Sequence, residues 1–205
     1  MLTQGIAGPQ LIGDGNANQA SRLDNQGALI VSELHGRYAE QAKRQNIFSI
    51  ASQSVATTTV GLATTYTGLC VGNPLGSGVR LSLLKCTVMQ SVIQSTQPEA
   101  YGIAFGFNAA TNLTLTVAVT PQSTAIGSGT TAKAVAATSA GLVTAPLYAA
   151  FVQNTSSATV NGPGGVIDFE GAVQLLPGAY AAWVTPGQAS VAGLWFSFMW
   201  EEVPL

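Results

Sequence analysis

The sequence predicts an all-β chain, an antiparallel two-sheet β-sandwich of jelly-roll type with an extended N-terminal arm and one short helix. Three observations predict it. From Asn46 onward, short runs rich in Val, Thr, Ile and aromatics recur at close spacing, with Gly/Pro/Asn clusters between them. Several runs alternate with period two, as in Leu194, Phe196, Phe198 and Trp200 against Trp195, Ser197 and Met199. No helical crossover separates the strands, so parallel βαβ units are excluded.

The stretch Tyr66 to Val92 reads as the organising element. Two apolar runs flank Asn73-Pro74-Leu75-Gly76-Ser77-Gly78, residues that set or tolerate turn conformations, so the cheapest reading is a hairpin. Val79, Leu81 and Leu83 alternate with Arg80 and Ser82, and then Leu84, Cys86 and Val88 take over the apolar phase. One extra residue at Leu83-Leu84, a β-bulge, accounts for the slip. Tyr101, Ile103, Phe105 and Phe107 alternate with Gly and Ala, predicting a strand covered on both sides. Leu113 to Val119 is read as its hairpin partner. Residues 120–141 form either a surface excursion or an irregular strand pair. Pro177-Gly178 and Pro186-Gly187 are type II turn signals around Ala179–Thr185. The expected core includes Phe105, Leu115, Phe151, Trp183 and Phe196.

Ahead of the sandwich, residues 1–45 form the arm and residues 46–205 the body. Residues 1–27 hold five Gly, four Gln and three Asn with isolated Leu and Ile, and no period. A disordered terminus and an arm ordered on a neighbouring subunit fit equally. Ser32–Gln45 reads as a short helix capped by Ser32, with Glu33→Arg37 and Glu40→Arg44 in the favoured order and Gly36 opposing it.

Composition bears on function. Charged residues make up 8% of the 205-residue chain, and its net charge is −2, against about 25% charged in ordinary domains. A 20.9 kDa monomer exposes about 9,000 Å², roughly one charge per 560 Å² for 16 charged residues. Such a surface is poorly guarded against association and reads as one occupied by other subunits. Four of the seven basic residues (Arg22, Arg37, Lys43, Arg44) fall between 22 and 44. With Glu33 and Tyr38 they are the candidate partner interface. No apolar run is long enough for a membrane helix, and Met1-Leu2-Thr3-Gln4-Gly5 carries no secretory pattern, so no membrane is expected. Scattered basic residues give no nucleic-acid surface. With Cys70 placed opposite Arg80 in the hairpin, it cannot meet Cys86, and two free buried thiols fit a reducing cytosol.

Catalytic motifs are short of parts. His35 is the sole histidine, with no nucleophile elbow and no H-E-x-x-H pair. Asp14-Gly15-Asn16 lacks the rest of a calcium loop, and no cofactor is expected. Asp168 and Glu170, two apart, read as a solvated strand face, and Glu201-Glu202 as a solubilising end. Trp183, Trp195 and Trp200 read as core rather than sugar platforms.

Three segments carry a resemblance. Ser32-Glu33-Leu34-His35-Gly36-Arg37-Tyr38 with Glu40-Gln41 and Asn46-Ile47-Phe48, Thr64-Thr65-Tyr66-Thr67-Gly68-Leu69 with Asn73-Pro74, and Gly193-Leu194-Trp195 with Trp200-Glu201-Glu202-Val203-Pro204 resemble a group of tailed-bacteriophage virion proteins. The resemblance covers residues 28–90 and the final dozen. It implies a structural, non-enzymatic virion protein, a capsid decoration (cement) protein with a jelly-roll body. Such proteins are commonly homotrimers, are made in the host cytoplasm and bind the major capsid protein. A tail-fibre or spike module binding host glycans is the alternative.

Overall fold

The computed structural model describes residues 36–52, 63–90, 100–142, 144–154, 165–185 and 194–205. The chain divides into two compact units, Met1–Glu40 and Gln41–Leu205, and every strand belongs to the second. The elements are α1 (Ala39–Lys43), β1 (Ile47–Ala51), β2 (Thr65–Gly72), β3 (Val79–Gln90), β4 (Ala100–Phe107), β5 (Thr114–Val119), β6 (Gln122–Ser123), β7 (Val135–Gly141), β8 (Tyr148–Asn154), β9 (Gly165–Leu175), β10 (Ala179–Val184) and β11 (Leu194–Pro204). A five-stranded sheet runs β6-β1-β11-β3-β9 and a six-stranded sheet β5-β7-β2-β10-β4-β8, all pairs antiparallel. The all-β, jelly-roll-like sandwich expected from the sequence is the fold.

Within Ser32–Gln45, the described helix is the five residues of α1, and Ser32 to His35 lie outside the described residues. Its end is a Schellman motif: Asn46 N–H donates to Gln41 O at 3.1 Å and Gln45 N–H to Ala42 O at 2.9 Å. Gln45 takes the left-handed position there (φ 61°) that glycine usually fills.

The two expected hairpins do not form. β2 pairs with β7 and β10 in one sheet, whereas β3 pairs with β11 and β9 in the other. The linker of residues 73–78 therefore crosses the ~10 Å between sheets. Asn73 pins that crossing. Its Nδ2 donates to Val79 O at 2.8 Å and Leu175 O at 2.9 Å, and its backbone exchanges bonds with Ala179 O and Gly178 N–H at 2.9 and 2.7 Å. One amide thus ties the β2–β3 crossing to the β9–β10 crossing, which returns through a turn with Gly178 at φ 90°. β4 and β5 share a sheet but stand at positions five and one in its order. Four strand spacings of about 4.8 Å separate them, a gap of roughly 19 Å that an extended six-residue linker spans. Hairpin turn chemistry and sheet-crossing chemistry look alike in sequence, and burial on both faces decided the outcome.

The bulge is where the phase slip predicted it. On β11, Trp200 faces Leu83 and Met199 faces Lys85, leaving Leu84 as the extra residue. Leu81, Leu83, Cys86 and Val88 consequently all reach the inter-sheet core. Trp183 of β10 stacks on Phe196 of β11 at 5.2 Å and 20°, joining the sheets at the centre, while Trp200 lies 6.3 Å from Phe48. Phe105, Trp183 and Phe196 are core as expected. Leu115 instead packs, half-buried, against a second cluster, and the Phe151 side chain lies outside the described residues.

That second cluster covers the outer face of the six-stranded sheet: Tyr66, Cys70, Ala104, Ala137, Ala140, Leu142, Tyr180, Ala182 and Val184. The β7–β8 connection contributes to its cover. Leu142 N–H donates to Thr64 O at 2.7 Å, Thr144 Oγ1 to Phe107 O at 3.1 Å and Leu147 N–H to Phe105 O at 2.8 Å. Tyr180 Oη donates up to Thr144 O at 2.6 Å. Small residues make room: a Cβ on Gly106 would lie 2.2 Å from the Tyr180 ring. β4 is buried on both sides from Tyr101 to Gly106, as its large/small alternation predicts. Cys70 belongs to this outer cluster and Cys86 to the inter-sheet core, and both thiols are free. The sheet itself keeps them apart.

Candidate functional site

The expected interface residues fall into two groups. Arg22 and Glu33 lie outside the described residues. Arg37 is exposed, with its guanidinium carbon 5.5 Å from the centre of the Tyr38 ring, a cation–π distance. Lys43 and Arg44, at the end of α1 and in the turn after it, are exposed. His35 and the Asp14-Gly15-Asn16 segment also lie outside the described residues. Among the described residues no three His, Cys, Asp or Glu side chains converge on a possible metal position, and no helix is long and apolar enough to cross a membrane.

Strand alternation builds a different surface. On β11 the core takes Leu194, Phe196, Phe198 and Trp200, so Trp195, Ser197 and Met199 must point to the outside of the five-stranded sheet. Beyond the Leu84 bulge, Lys85, Thr87 and Met89 of β3 do the same. Register then sets two rows across four strands. One reads Ala51, Ser197, Thr87, Val166 and the next Ser49, Met199, Lys85, Asp168, with Trp195 beside Met89. Thr87 and Ser197 hydrogen-bond through their hydroxyls. Lys85 Nζ lies 3.8 Å from Asp168 Oδ2, both side chains about two-fifths exposed. Such a pair contributes under about 1 kcal/mol. Met89 and Val166 are more than half exposed. Over β1 and β11 the face opens as a groove of about 430 Å³, walled by Ser49, Ala51, Thr87, Val119, Ser197 and Met199.

Next to the groove stands the segment from β6 to β7. Thr120 and Gln122 border both the groove and a smaller hollow of about 220 Å³ under this loop. Its inner end is held by Glu202, which period-two alternation places in phase with Phe198 and Trp200. The carboxylate is buried and accepts the backbone N–H groups of Lys133 and Ala134 at 2.9 Å, with Trp200 Nε1 at 3.4 Å. Glu202 is therefore no solubilising residue. It anchors a loop, because three donors satisfy the charge that burial would otherwise penalise. The strand phase signals this role, while the adjacent Glu-Glu near a terminus has the composition of a solvated end. Asp168 and Glu170 are exposed, the solvated face expected, and Asp168 Oδ1 accepts the Glu170 N–H at 3.1 Å where Glu170 turns to φ 51°.

Trp183 and Trp200 are fully buried, but Trp195 is partly exposed on the open face. What this arrangement offers chemically is apolar and hydroxyl contact around a groove, with one charge pair. Comparison with protein families, with curated proteins and with solved structures gives no match.

Proposed function

We propose that this chain is a structural part of a tailed-bacteriophage particle, a capsid decoration (cement) protein that binds and stabilises the lattice of the major capsid protein. It acts without catalysis or cofactor, assembles as a homo-oligomer (a trimer in the arrangement the resemblance implies), and is made in the host cytoplasm before joining the virion. The observation that carries the reading is the open outer face of the five-stranded sheet. It spans four strands, and Lys85 and Asp168 are the only charges in its two rows. Such a face suits repeated, modest contacts with a lattice, where linked contacts multiply affinity. Arg22, Glu33, Arg37, Tyr38, Lys43 and Arg44 supply polar contacts to the capsid in this reading.

The test is co-sedimentation of the purified chain with phage heads stripped of it. Saturable binding, with heads that then resist heating better, is the expected outcome. A chain that stays in the supernatant removes the reading. One observation favours a second reading: Trp195 is partly exposed beside Met89 on the same face as Asp168, as a sugar-stacking platform would be. A tail-fibre or spike module predicts binding on a glycan array that Trp195→Ala abolishes, and a decoration protein predicts none.

A further inference from the structure

The loop between β6 and β7 carries an isoleucine at its tip that none of the described residues covers: Ile126 is 89% exposed. The tip is not loose. Ser128 N–H donates to Ala125 O at 3.0 Å, and Gly127 takes φ 88°, a type II turn with Ile126 at its first corner. Thr124 donates to Ile47 O through N–H and Oγ1 at 3.0 and 3.2 Å, and Glu202 holds the other end at Lys133 and Ala134. An apolar knob is thereby presented in fixed geometry, so little ordering remains to oppose its burial. Beside it, sharing Thr120 and Gln122 as a border, lies the groove over β1 and β11, mostly apolar and wide enough for a branched side chain.

We propose that Ile126 of one copy seats in this groove of a second copy, making the patch a contact between identical chains. A knob and a groove side by side on one surface are self-complementary, which is the condition for a contact between like subunits. The charges agree. A two-fold contact sets each charge near its own double, and of the residues lining knob and groove only Lys85 is charged, with Asp168 3.8 Å away, so like charges oppose neither a two-fold dimer nor a three-fold ring. Both would use the same two surfaces. The inference rests on the self-assembling part of the reading above and on nothing about the capsid.

Sedimentation velocity of the purified full chain, with no phage present, reads the contact directly. The wild type should associate. Ile126→Asp, at an exposed tip that folding does not need, and Ala51→Trp, which fills the groove, should each weaken association at least about tenfold. Leu147→Asp, at an exposed aliphatic of the β7–β8 connection over the other sheet, should leave association unchanged. Mixing Ile126→Cys with a mass-tagged Ala51→Cys variant should give a disulfide-linked heterodimer under mild oxidation, and Ile126→Cys with Leu147→Cys should not. A wild type that remains a single chain at about 100 µM, weaker than most specific contacts, overturns the inference. So does Ile126→Asp associating like the wild type. Chains that bind phage heads yet stay monomeric would sink this contact alone, and chains that associate but ignore heads would sink only the capsid reading.

Discussion

The two sheets of this sandwich treat their outer faces in opposite ways. On the six-stranded sheet, Ala104, Gly106, Ala137 and Ala182 keep the surface low, the β7–β8 connection crosses it, and Tyr66, Cys70 and Tyr180 are buried. On the five-stranded sheet, Thr87, Met89, Trp195, Ser197 and Met199 stand up from the surface and stay partly or largely open. In a chain with so few charges, an outer face can be closed by the chain's own backbone or left for another molecule. Here one sheet takes each course. The covered face should therefore govern stability, and the open face should govern association.

Substitutions sharpen that contrast. The largest loss is expected at the layer both sheets share: Trp183→Ala empties the Phe196 stack and should cost about 3–5 kcal/mol by urea unfolding. On the covered face, Gly106→Ala forces a Cβ against the Tyr180 ring and should cost about 1–3 kcal/mol. Glu202→Ala takes the acceptor from the N–H groups of Lys133 and Ala134, the second of them buried, with an expected loss of about 1–3 kcal/mol. It should also speed amide exchange in residues 124–134. On the open face, Lys85→Ala should change the unfolding midpoint by under about 0.5 kcal/mol equivalent. If Lys85→Ala cost as much as Gly106→Ala, the contrast between faces would be lost.

Alkaline titration breaks the comparison in another way. Burial pushes the Cys70 thiol from its ordinary 9.0 up to about 12 and the Tyr180 hydroxyl from 10.0 to about 12, both on the covered face. The folded state therefore prefers the neutral forms. Their contribution is complete below pH ~9 and is lost as the pH rises toward ~12, where the folded groups ionise. The melting temperature should fall across that window, and Cys70→Ala should lessen the fall. A thiol reagent at about pH 8 should leave the folded chain unmodified.

Much of the sandwich was legible because strand alternation is a local signal. The β11 pattern, the two-sided burial of β4 and the Leu84 bulge all follow from period two and side-chain size, whereas the thiols are free for another reason than the expected hairpin: they lie on different faces. Partner choice was not legible. Asn73-Pro74 with Gly76 and Gly78 fits a tight hairpin as well as a passage between layers, and only the tertiary bonds of Asn73 to Val79 and Leu175 separate them. The candidate surface was half legible. Composition pointed to contact surfaces, but it directed attention to residues 22–44. The open rows on β1, β11, β3 and β9 exist only once four strands from distant parts of the chain take register. Glu202 shows the same limit, since its phase was readable but its donors come from residues 133 and 134.

The most direct test of the central claim is electron microscopy of phage particles labelled with antibody raised against this chain. The account predicts label distributed over the surface of the head. Label confined to the tail or its tip, or particles that carry none, would contradict it.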